Sequence, residues 1–394
     1  MTVAAISRLA TVVVLASVAA GCRANGLVAV TPADSMAFEP SVAVFRDGFA
    51  VAWYDTRHGH GELYQQALDA EGVPRGPEVR LTTGTRDAYE ADIHAVEGIA
   101  DGDGFIVAWY EKGSDGVLVP RLGLWARNGA ARWITTLAAR GRNTAARVHG
   151  DLVFAAWVED EAAPAAGLWT GWWNLKGEVV ASPRRIADAS KTTYNLNVAL
   201  VTGAAERGVP TALVAFDAKV RTKAEELFVA EDDGLNARVT RLTPDDGFAS
   251  TYPDLDLSGS RAAITWFDTR DGNEEVYLRV ATRSDLARPD ALAGSRVTTT
   301  KGHSIGAYTA WNGARLGLAW CDNTGGKHEV YFAEFDAAGT PRGQAQRLST
   351  TQPDSLIPSI HSWRGGFVVA WNEWNGGPEH DAKGRSQVLL KLQP

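Results

Sequence analysis

The sequence predicts an all-β protein, a seven-bladed β-propeller of four-stranded antiparallel blades. Three observations predict this fold: a short phrase recurs about every fifty residues, each repeat has the same order of strands, and no convincing helical period follows the N-terminal segment. The phrase is an apolar run, a tryptophan, one variable residue and an acid. Its copies are centred on Trp53, Trp109, Trp157, Trp266, Trp320 and Trp371. A degenerate copy, Val214-Ala215-Phe216-Asp217, fills the one gap in the series.

Each repeat is predicted to hold four strands. In the first repeat an alternating apolar segment, residues 41–45, is followed by a tight turn and a second apolar strand, residues 49–53. A polar, Gly-rich loop leads to a third strand, residues 62–69, and a Gly/Pro turn leads to a fourth, residues 79–82. Period-two alternation with β-branched and aromatic residues is typical of strands. Radial closure of such units would protect their edges, as it does in propellers.

The two ends of the chain predict how the ring closes. The last repeat ends after its third strand, residues 386–392, and too few residues remain for a fourth. The segment 26–32 resembles the fourth strand and following loop of other repeats, such as residues 241–244. We therefore expect the N-terminal strand to complete the C-terminal blade.

The N-terminus has the features of a targeting segment. Its apolar run, residues 9–20, is too short to span a bilayer and ends at Gly21 and Cys22. This resembles the bacterial lipoprotein signal, in which the cysteine is lipidated and becomes the mature N-terminus, although Ala19 stands where a larger aliphatic residue is usual. The alternative is an ordinary secretory leader with a chance cysteine. The expected organisation is a signal peptide over 1–21, a lipidated N-terminus and ring-closing strand over 22–35, and the propeller over 36–394.

Where the lipid anchor would place the protein follows from the same resemblance. The residue after Cys22 is Arg23 and not aspartate, which in lipoproteins favours the outer membrane over the inner one. The resemblance therefore implies a palmitate-bearing lipoprotein of the cell outer membrane, with its body facing either the periplasm or the surface.

Composition and charge limit the partners and cofactors that can be expected. The net charge of −8, with no basic stripe, argues against nucleic-acid binding. Lipidation of Cys22 would leave Cys321 without a disulfide partner, and Cys321 is expected to be a packed residue. No residue set predicts a metal site or another cofactor. The expected partners are the membrane, through the lipid, and a protein or a glycan, with the chain itself a monomer.

The acids of the repeated phrase are predicted to have a structural role. An acid at one register in every blade can accept backbone N–H groups in the loop that follows it, as aspartate does in Asx-turns. The alternative is a ring of negative potential that attracts cations. This acidic ring comprises Asp55, Glu111, Glu159, Asp217, Asp268, Asp322 and Glu373.

The repeats differ most in sequence at the start of each innermost strand. When the repeats are aligned on the tryptophan, an apolar position near the start of this strand is flanked by two positions that carry different polar residues in different blades. Because innermost strands line the channel of a propeller, these side chains are expected to converge at its mouth, where a ligand would bind. The alternative is a water-filled channel with no ligand. The ligand-binding candidates are Asp92, His94, Arg147, Asn197, Asp254, Asp256, Tyr308 and His361.

The repeats resemble those of sialidase-like propellers, with Trp-x-Asp-x-Arg phrases such as residues 53–57 and Glu-x-Tyr phrases such as residues 275–277. The sialidase Asp-box, a convincing arginine triad with a tyrosine nucleophile and the WD40 and kelch signatures are missing, so no specific characterised family is matched. We expect a non-catalytic binding or scaffold lipoprotein for an envelope protein or glycan. The alternative is a carbohydrate-active enzyme, a hydrolase or lyase, with acid–base residues among Asp92, His94, Asp254, Asp256 and His361.

Overall fold

A computed structural model describes residues 26–99, 102–160, 166–188, 195–201, 208–288, 294–349, 353–375 and 384–394. Within these ranges the chain forms strands and turns and no helix, and so no helix there has the length and hydropathy to cross a membrane. The predicted signal segment and Cys22 lie outside the described residues. Seven four-stranded antiparallel sheets confirm the predicted propeller.

The strands follow the chain in groups of four, and each group is one blade whose first strand is innermost. Blade 1 holds β2 (Ala37–Phe45), β3 (Gly48–Asp55), β4 (Glu62–Asp69) and β5 (Val79–Arg80). Blade 2 holds β6 (Asp87–Val96), β7 (Gly104–Lys112), β8 (Leu118–Ala126) and β9 (Ala131–Thr136). Blade 3 holds β10 (Arg142–His149), β11 (Leu152–Glu159), β12 (Gly167–Asn174) and β13 (Val179–Ala187). Blade 4 holds β14 (Leu196–Leu200), β15 (Ala212–Lys219), β16 (Glu225–Asp232) and β17 (Ala237–Arg241).

The remaining blades repeat this order, and the last one uses both ends of the chain. Blade 5 holds β18 (Ser250–Ser258), β19 (Arg261–Asp268), β20 (Glu275–Thr282) and β21 (Ser295–Arg296). Blade 6 holds β22 (Ser304–Asn312), β23 (Arg315–Asp322), β24 (Glu329–Phe335) and β25 (Gln346–Arg347). Blade 7 holds β26 (Asp354–Trp363), β27 (Gly366–Trp374), β28 (Ser386–Gln393) and β1 (Leu27–Ala29).

The N-terminal strand closes the ring, as the sequence predicts. Leu27, Val28 and Ala29 pair antiparallel with β28. The Val388 N–H donates to the Thr31 hydroxyl over 2.9 Å, and the Val30 N–H donates to the Val388 carbonyl over 2.9 Å. Without β1, β28 would be an unpaired edge strand, so this closure completes blade 7 and ties it to the chain that enters blade 1.

The repeated tryptophan packs between blades. Its side chain is at most 3% exposed in all six full copies of the phrase, and in several blades it stacks on a third-strand tyrosine, as Trp266 does on Tyr277 at 5.6 Å. In blade 4 the same stack is formed by Phe216 and Phe228 at 5.4 Å. Phe216 therefore takes the place of the tryptophan, since the large ring that fills this position is what the packing requires.

Candidate functional site

The eight candidate residues line one cavity at the mouth of the channel. Its volume is about 770 Å³, and its lining includes Asp92, His94, Arg147, Asn197, Asp254, Asp256, Tyr308 and His361. These residues come from the innermost strands of blades 2 to 7. On each innermost strand, one residue pairs with the second-strand residue that precedes the tryptophan position. We call these seven residues the first column: Ser41, Asp92, Ala145, Asn197, Asp254, Tyr308 and Ser359.

A β-bulge at the start of six innermost strands shapes the rim of this cavity. In each case the ladder register shifts just before the first column, and the residue two positions before that column has a left-handed backbone. These residues and their φ angles are Glu39 (52°), Glu90 (51°), Asn143 (50°), Tyr252 (54°), Gly306 (60°) and Ile357 (50°). Left-handed backbone disfavours residues other than glycine and asparagine, and bulges of this kind re-aim side chains next to binding sites.

The freed N–H of the bulge residue is satisfied by the preceding blade in three cases. The Tyr252 N–H donates to Asp217 over 2.9 Å, and the Glu39 N–H donates to the Asn372 amide oxygen over 3.3 Å. The Cys321 sulfur accepts the Ile357 N–H. All three acceptors directly follow the tryptophan position, which is the variable slot of the repeated phrase. This includes Asp217, since Phe216 takes the tryptophan position in blade 4. Asp217 is thus one residue out of register with the six other acids of the predicted ring.

Most of the other acids of the ring bind groups of their own blade. Asp55 accepts the Arg57 N–H over 2.8 Å, and Asp268 accepts the Arg270 N–H over 3.0 Å, which is the geometry of an Asx-turn. In blade 6 the acid accepts the backbone N–H of Thr324 over 2.8 Å. Glu111 and Glu373 lie 3.3 Å from the indole nitrogens of their own tryptophans, and Glu159 pairs with Gly167 on the next strand. Asp55, Asp268 and Asp322 therefore bind the backbone of the loop that follows them, whereas Glu111 and Glu373 bind the tryptophan of their own blade.

A chain of polar contacts runs around the cavity wall from blade 2 to blade 5. Arg147 donates to Asp92 over 3.0 Å and to the Asn197 side-chain oxygen over 2.8 Å. Asn197 in turn donates to Asp254. The His94 Nε2 atom lies 3.0 Å from Asp92 and 2.6 Å from Arg147. Four blades are therefore joined through side chains that all face the cavity.

The His361 ring completes the polar wall on the other side of blade 2. It meets the His94 ring edge to face, with centroids 6.4 Å apart. Tyr308 of blade 6 and Asp256 of blade 5 also line the cavity. All eight candidates are thus brought together around one space, although their contacts form a chain and not a single cluster.

Three cavity carboxylates also hold neighbouring blades together. Asp92 accepts the N–H of Ala146 in the next blade over 3.0 Å. Asp254 and Asp256 accept two N–H groups of blade 6, those of Thr309 and Trp311, each over 2.7 Å. These bonds fix the carboxylates in place and give them a structural role beside any part in ligand binding.

The surroundings set unlike charge states for the titratable groups of the cavity. Burial would raise the pKa of Asp92, but the nearby His94 and Arg147 outweigh it and hold that pKa below its usual range. Burial raises the pKa of Asp254 to about 7 despite the N–H of Thr309 and the charge of Arg147. Burial also raises the pKa of Asp256. Asp92 is therefore ionised at neutral pH, whereas Asp254 is poised near half-protonation.

The two histidines of the cavity and Tyr308 are neutral at pH 7. Burial and the charge of Arg147 lower the pKa of His94. Burial, His94 and Arg147 together lower the pKa of His361 to about 3. Burial and the nearby Asp254 raise the pKa of Tyr308. Arg147 is thus the one permanent cation among the residues that line the cavity.

Sequence reasoning missed two acids and an aromatic stack at the rim. Glu39 and Glu90, both bulge residues, line the cavity, as do Tyr252 and Phe267, whose rings stack 5.1 Å apart. The signal that could have found Glu39, Glu90 and Tyr252 is the column two residues before the first one, which also differs between blades, whereas Phe267 stands in the variable position after the tryptophan. The bulge hid this column, because an inserted residue breaks the period-two alternation on which the alignment rests.

The described residues form no cluster of metal-ligating side chains, and their one cysteine, Cys321, is buried in the wall of the cavity. Among them no group of three or more His, Cys, Asp or Glu side chains could hold a metal ion. Cys321 is 2% exposed, and burial raises the pKa of its thiol to about 12. A thiol in this environment packs and does not react at neutral pH.

No protein-family model and no curated protein matches this chain. The chain is similar in structure to an α-L-arabinanase of Penicillium chrysogenum that was solved in complex with arabinobiose. The two share 12% sequence identity with a TM-score of 0.48, over 76% of this chain and 92% of that chain. These findings agree with the sequence motifs, which match no specific characterised family.

Proposed function

We propose that this protein is a non-catalytic binding or scaffold module that holds part of an envelope protein or glycan in its central cavity. One observation carries the proposal: six blades each send at least one polar candidate side chain into the same cavity of about 770 Å³. Sites for small ligands are concave spaces of roughly 300–1,000 Å³ with a few fixed polar groups. A sugar ring or a short peptide segment fits this size and polarity.

The fixed geometry of the lining supports binding. Asp92, Asp254 and Asp256 are each tied to the backbone of the next blade. Such groups present hydrogen-bond acceptors in set directions without an entropic cost of ordering on binding. Tyr252, which is 39% exposed and stacked on Phe267, adds an aromatic face that suits sugar or peptide contacts.

The proposal includes attachment to the outer membrane through a lipid on Cys22, as the resemblance to the lipoprotein signal implies. The closing strand, Leu27–Ala29, begins five residues after Cys22. A lipid at Cys22 would therefore hold the outer edge of blade 7 close to the membrane surface.

The test is a pull-down from detergent-solubilised envelope fractions with residues 23–394, which contain every strand of the ring. The matched variant replaces two residues that line the cavity and whose side chains donate none of the bonds between blades described above, His361→Ala and Tyr252→Asn; asparagine tolerates the left-handed backbone at 252. Loss of a specific partner from the double variant is expected. The same partner set on both proteins would contradict a role for the cavity.

A carbohydrate-active enzyme is the second candidate, and one observation favours it. Asp92 and Asp254 are linked through Arg147 and Asn197, yet their environments lower one pKa and raise the other. Two carboxyl groups in opposite charge states are what acid–base cleavage of a glycoside requires. Release of reducing ends from an envelope polysaccharide, abolished in Asp254→Asn, would establish this function over binding alone.

A further inference from the structure

The cavity holds more acid than base. Its lining includes five carboxyl groups and a single arginine, and that arginine forms its ion pair with Asp92. The two histidines are neutral at pH 7, because burial and the charge of Arg147 lower their pKa values. Within the described part of the chain, the other four acids form no ion pair, although the charge of Arg142 acts on one of them, Glu90, and that of Arg147 acts on Asp254 and Asp256. These four are Glu39, Glu90, Asp254 and Asp256.

Glu39 and Glu90 form the least compensated part of this set. The Glu39 Oε2 atom is buried and has no hydrogen-bond partner, and Glu90 accepts a single bond, 2.9 Å long, from the Tyr110 hydroxyl. Burial and the neighbouring Glu90 raise the pKa of Glu39 to about 8, whereas Glu90 itself is exposed at the rim of the cavity. The other charged or titratable groups that face this pair are Tyr54, Tyr89, Tyr110, Tyr308 and Arg142.

An aromatic wall stands on the other side of the cavity. Tyr252 and Phe267 belong to blade 5, whereas Glu39 and Glu90 belong to blades 1 and 2. Blade 5 is three blades away from both, which is the largest separation in a ring of seven. A ligand in the cavity therefore meets an exposed tyrosine face on one side and two carboxyl groups on the other. Both features favour a cation, since aromatic faces also attract positive charge.

We propose that the ligand of this cavity carries a primary ammonium group, which binds against Glu39 and Glu90. This inference rests on the proposed binding function and names the chemistry of its ligand. The ammonium group would supply the counter-charge that the lining lacks, and a turn of the Glu39 carboxylate would bring its covered, unpartnered Oε2 atom to the donor. An unpaired buried acceptor is costly, so its pairing adds to affinity. An amino sugar and a lysine or N-terminal amine of a protein are two sources of the same group.

Binding of an ammonium group would release protons. Glu39 is largely protonated below pH 8 and must ionise to pair with the cation. For an amine with a pKa near 10, such as that of lysine, the affinity is therefore expected to rise with pH up to about 8 and to level off above it. Release of one proton corresponds to a rise of about tenfold for each pH unit below that range. An N-terminal amine or the amine of an amino sugar is a weaker base and loses its own charge within this range, so no such rise is expected for it.

The test measures binding to residues 23–394 by calorimetry at pH 6, 7 and 8. The probes form two matched pairs. A β-1,4-linked glucosamine tetramer is compared with its neutral N-acetylated form, and cadaverine, which copies a lysine side chain, is compared with 1,5-pentanediol. The cationic member of at least one pair is expected to bind at least tenfold more tightly than its neutral partner. For cadaverine, whose amines stay charged throughout, affinity is expected to rise from pH 6 to pH 8. Which pair shows the preference identifies the source of the amine.

Two variants with the same change of charge test the location. Glu39→Gln keeps the size of the side chain and is expected to weaken binding of the cation at least tenfold and to flatten its pH dependence. Glu71→Gln, at an exposed turn between the third and fourth strands on the opposite face of the ring, is expected to change neither. A thermal-unfolding scan of both variants verifies that they are folded.

The outcomes separate the two proposals. Equal binding of the charged and neutral members of both pairs, or affinity for cadaverine that falls as pH rises, overturns the ammonium inference and leaves the binding function standing. Equal effects of Glu39→Gln and Glu71→Gln, or no binding of any probe while the cavity still captures its partner in the pull-down, overturn it as well. If the cavity variant captures the same partners as the unchanged protein in the pull-down, the proposed binding function itself is wrong.

Discussion

Replacing Asp92 by asparagine should destabilise the protein, because Asp92 is the only ionic partner of Arg147 in the described part of the chain. Their side chains are 27% and 22% exposed and form a bond of 3.0 Å. Asparagine has nearly the same shape and can still accept the Ala146 N–H. The substitution therefore removes charge and leaves the bridge between blades 2 and 3 in place.

The size of the effect follows from the partial burial of this pair. Exposed ion pairs contribute about 0–1 kcal/mol, and loss of one partner from a buried pair costs about 3–5 kcal/mol. A pair that is about three-quarters buried should lie between these limits, so about 2–3 kcal/mol is expected. Because its neighbours hold the pKa of Asp92 below that of the unfolded chain, the loss is complete above about pH 5 and shrinks as pH falls below about 4.

Urea unfolding followed by tryptophan fluorescence measures the free energy of unfolding for Asp92→Asn, Arg147→Gln and the double variant. A coupling free energy of at least about 1 kcal/mol is expected, since contacting charges do not contribute additively. The control is Asp47→Asn, which removes an aspartate that also binds two arginines but is 51% exposed. Additivity within about 0.5 kcal/mol, or an equal effect of Asp47→Asn, would refute the reasoning.

Four further predictions test the fold and the anchor. Deletion of residues 26–31 should cost about 5 kcal/mol, from lost backbone bonds of about 1 kcal/mol each and the burial of one valine; an unchanged urea midpoint would contradict the ring closure. Ile357→Gly should cost about 1–2 kcal/mol less than Val239→Gly, a similarly exposed strand residue, because only the former relieves a left-handed backbone; equal costs would show that the bulge is unstrained. Cys321 should react with iodoacetamide at pH 8 only after unfolding, which mass spectrometry detects, and labelling of the folded chain would disprove its burial. Cys22→Ala should abolish incorporation of labelled palmitate and release the protein from the membrane fraction, whereas retained label would exclude lipidation at this cysteine.

Much of the fold could be predicted from the sequence because a propeller repeats one local pattern. Strand order within a blade depends on neighbouring residues, and the tryptophan column marks the same packing position each time. The lack of a fourth strand after residue 392, together with the likeness of residues 26–32 to the fourth strands of other repeats, predicts that the N-terminal strand completes blade 7. Because the blades are arranged symmetrically, equivalent positions of the repeats lie at equivalent places around the ring. The eight candidates, which stand at such positions, therefore line one cavity.

The chemistry of the cavity could not be predicted in the same way. Sequence alignment does not single out Glu39 and Glu90 because a bulge interrupts the alternation, and it places Asp217 one position out of register because phenylalanine stands where the other repeats have tryptophan. Contacts between blades, such as that of Asp254 with Thr309, join residues more than fifty positions apart and depend on how neighbouring sheets pack.

The sequence alone therefore determined the number of blades, their order and the closure of the ring, because each follows from a periodic pattern of apolar residues. Only the tertiary structure decided which acids meet, which of them are paired and which keep a proton. Those properties depend on burial and on the sum of all nearby charges, and both are set by side chains that converge from separate blades.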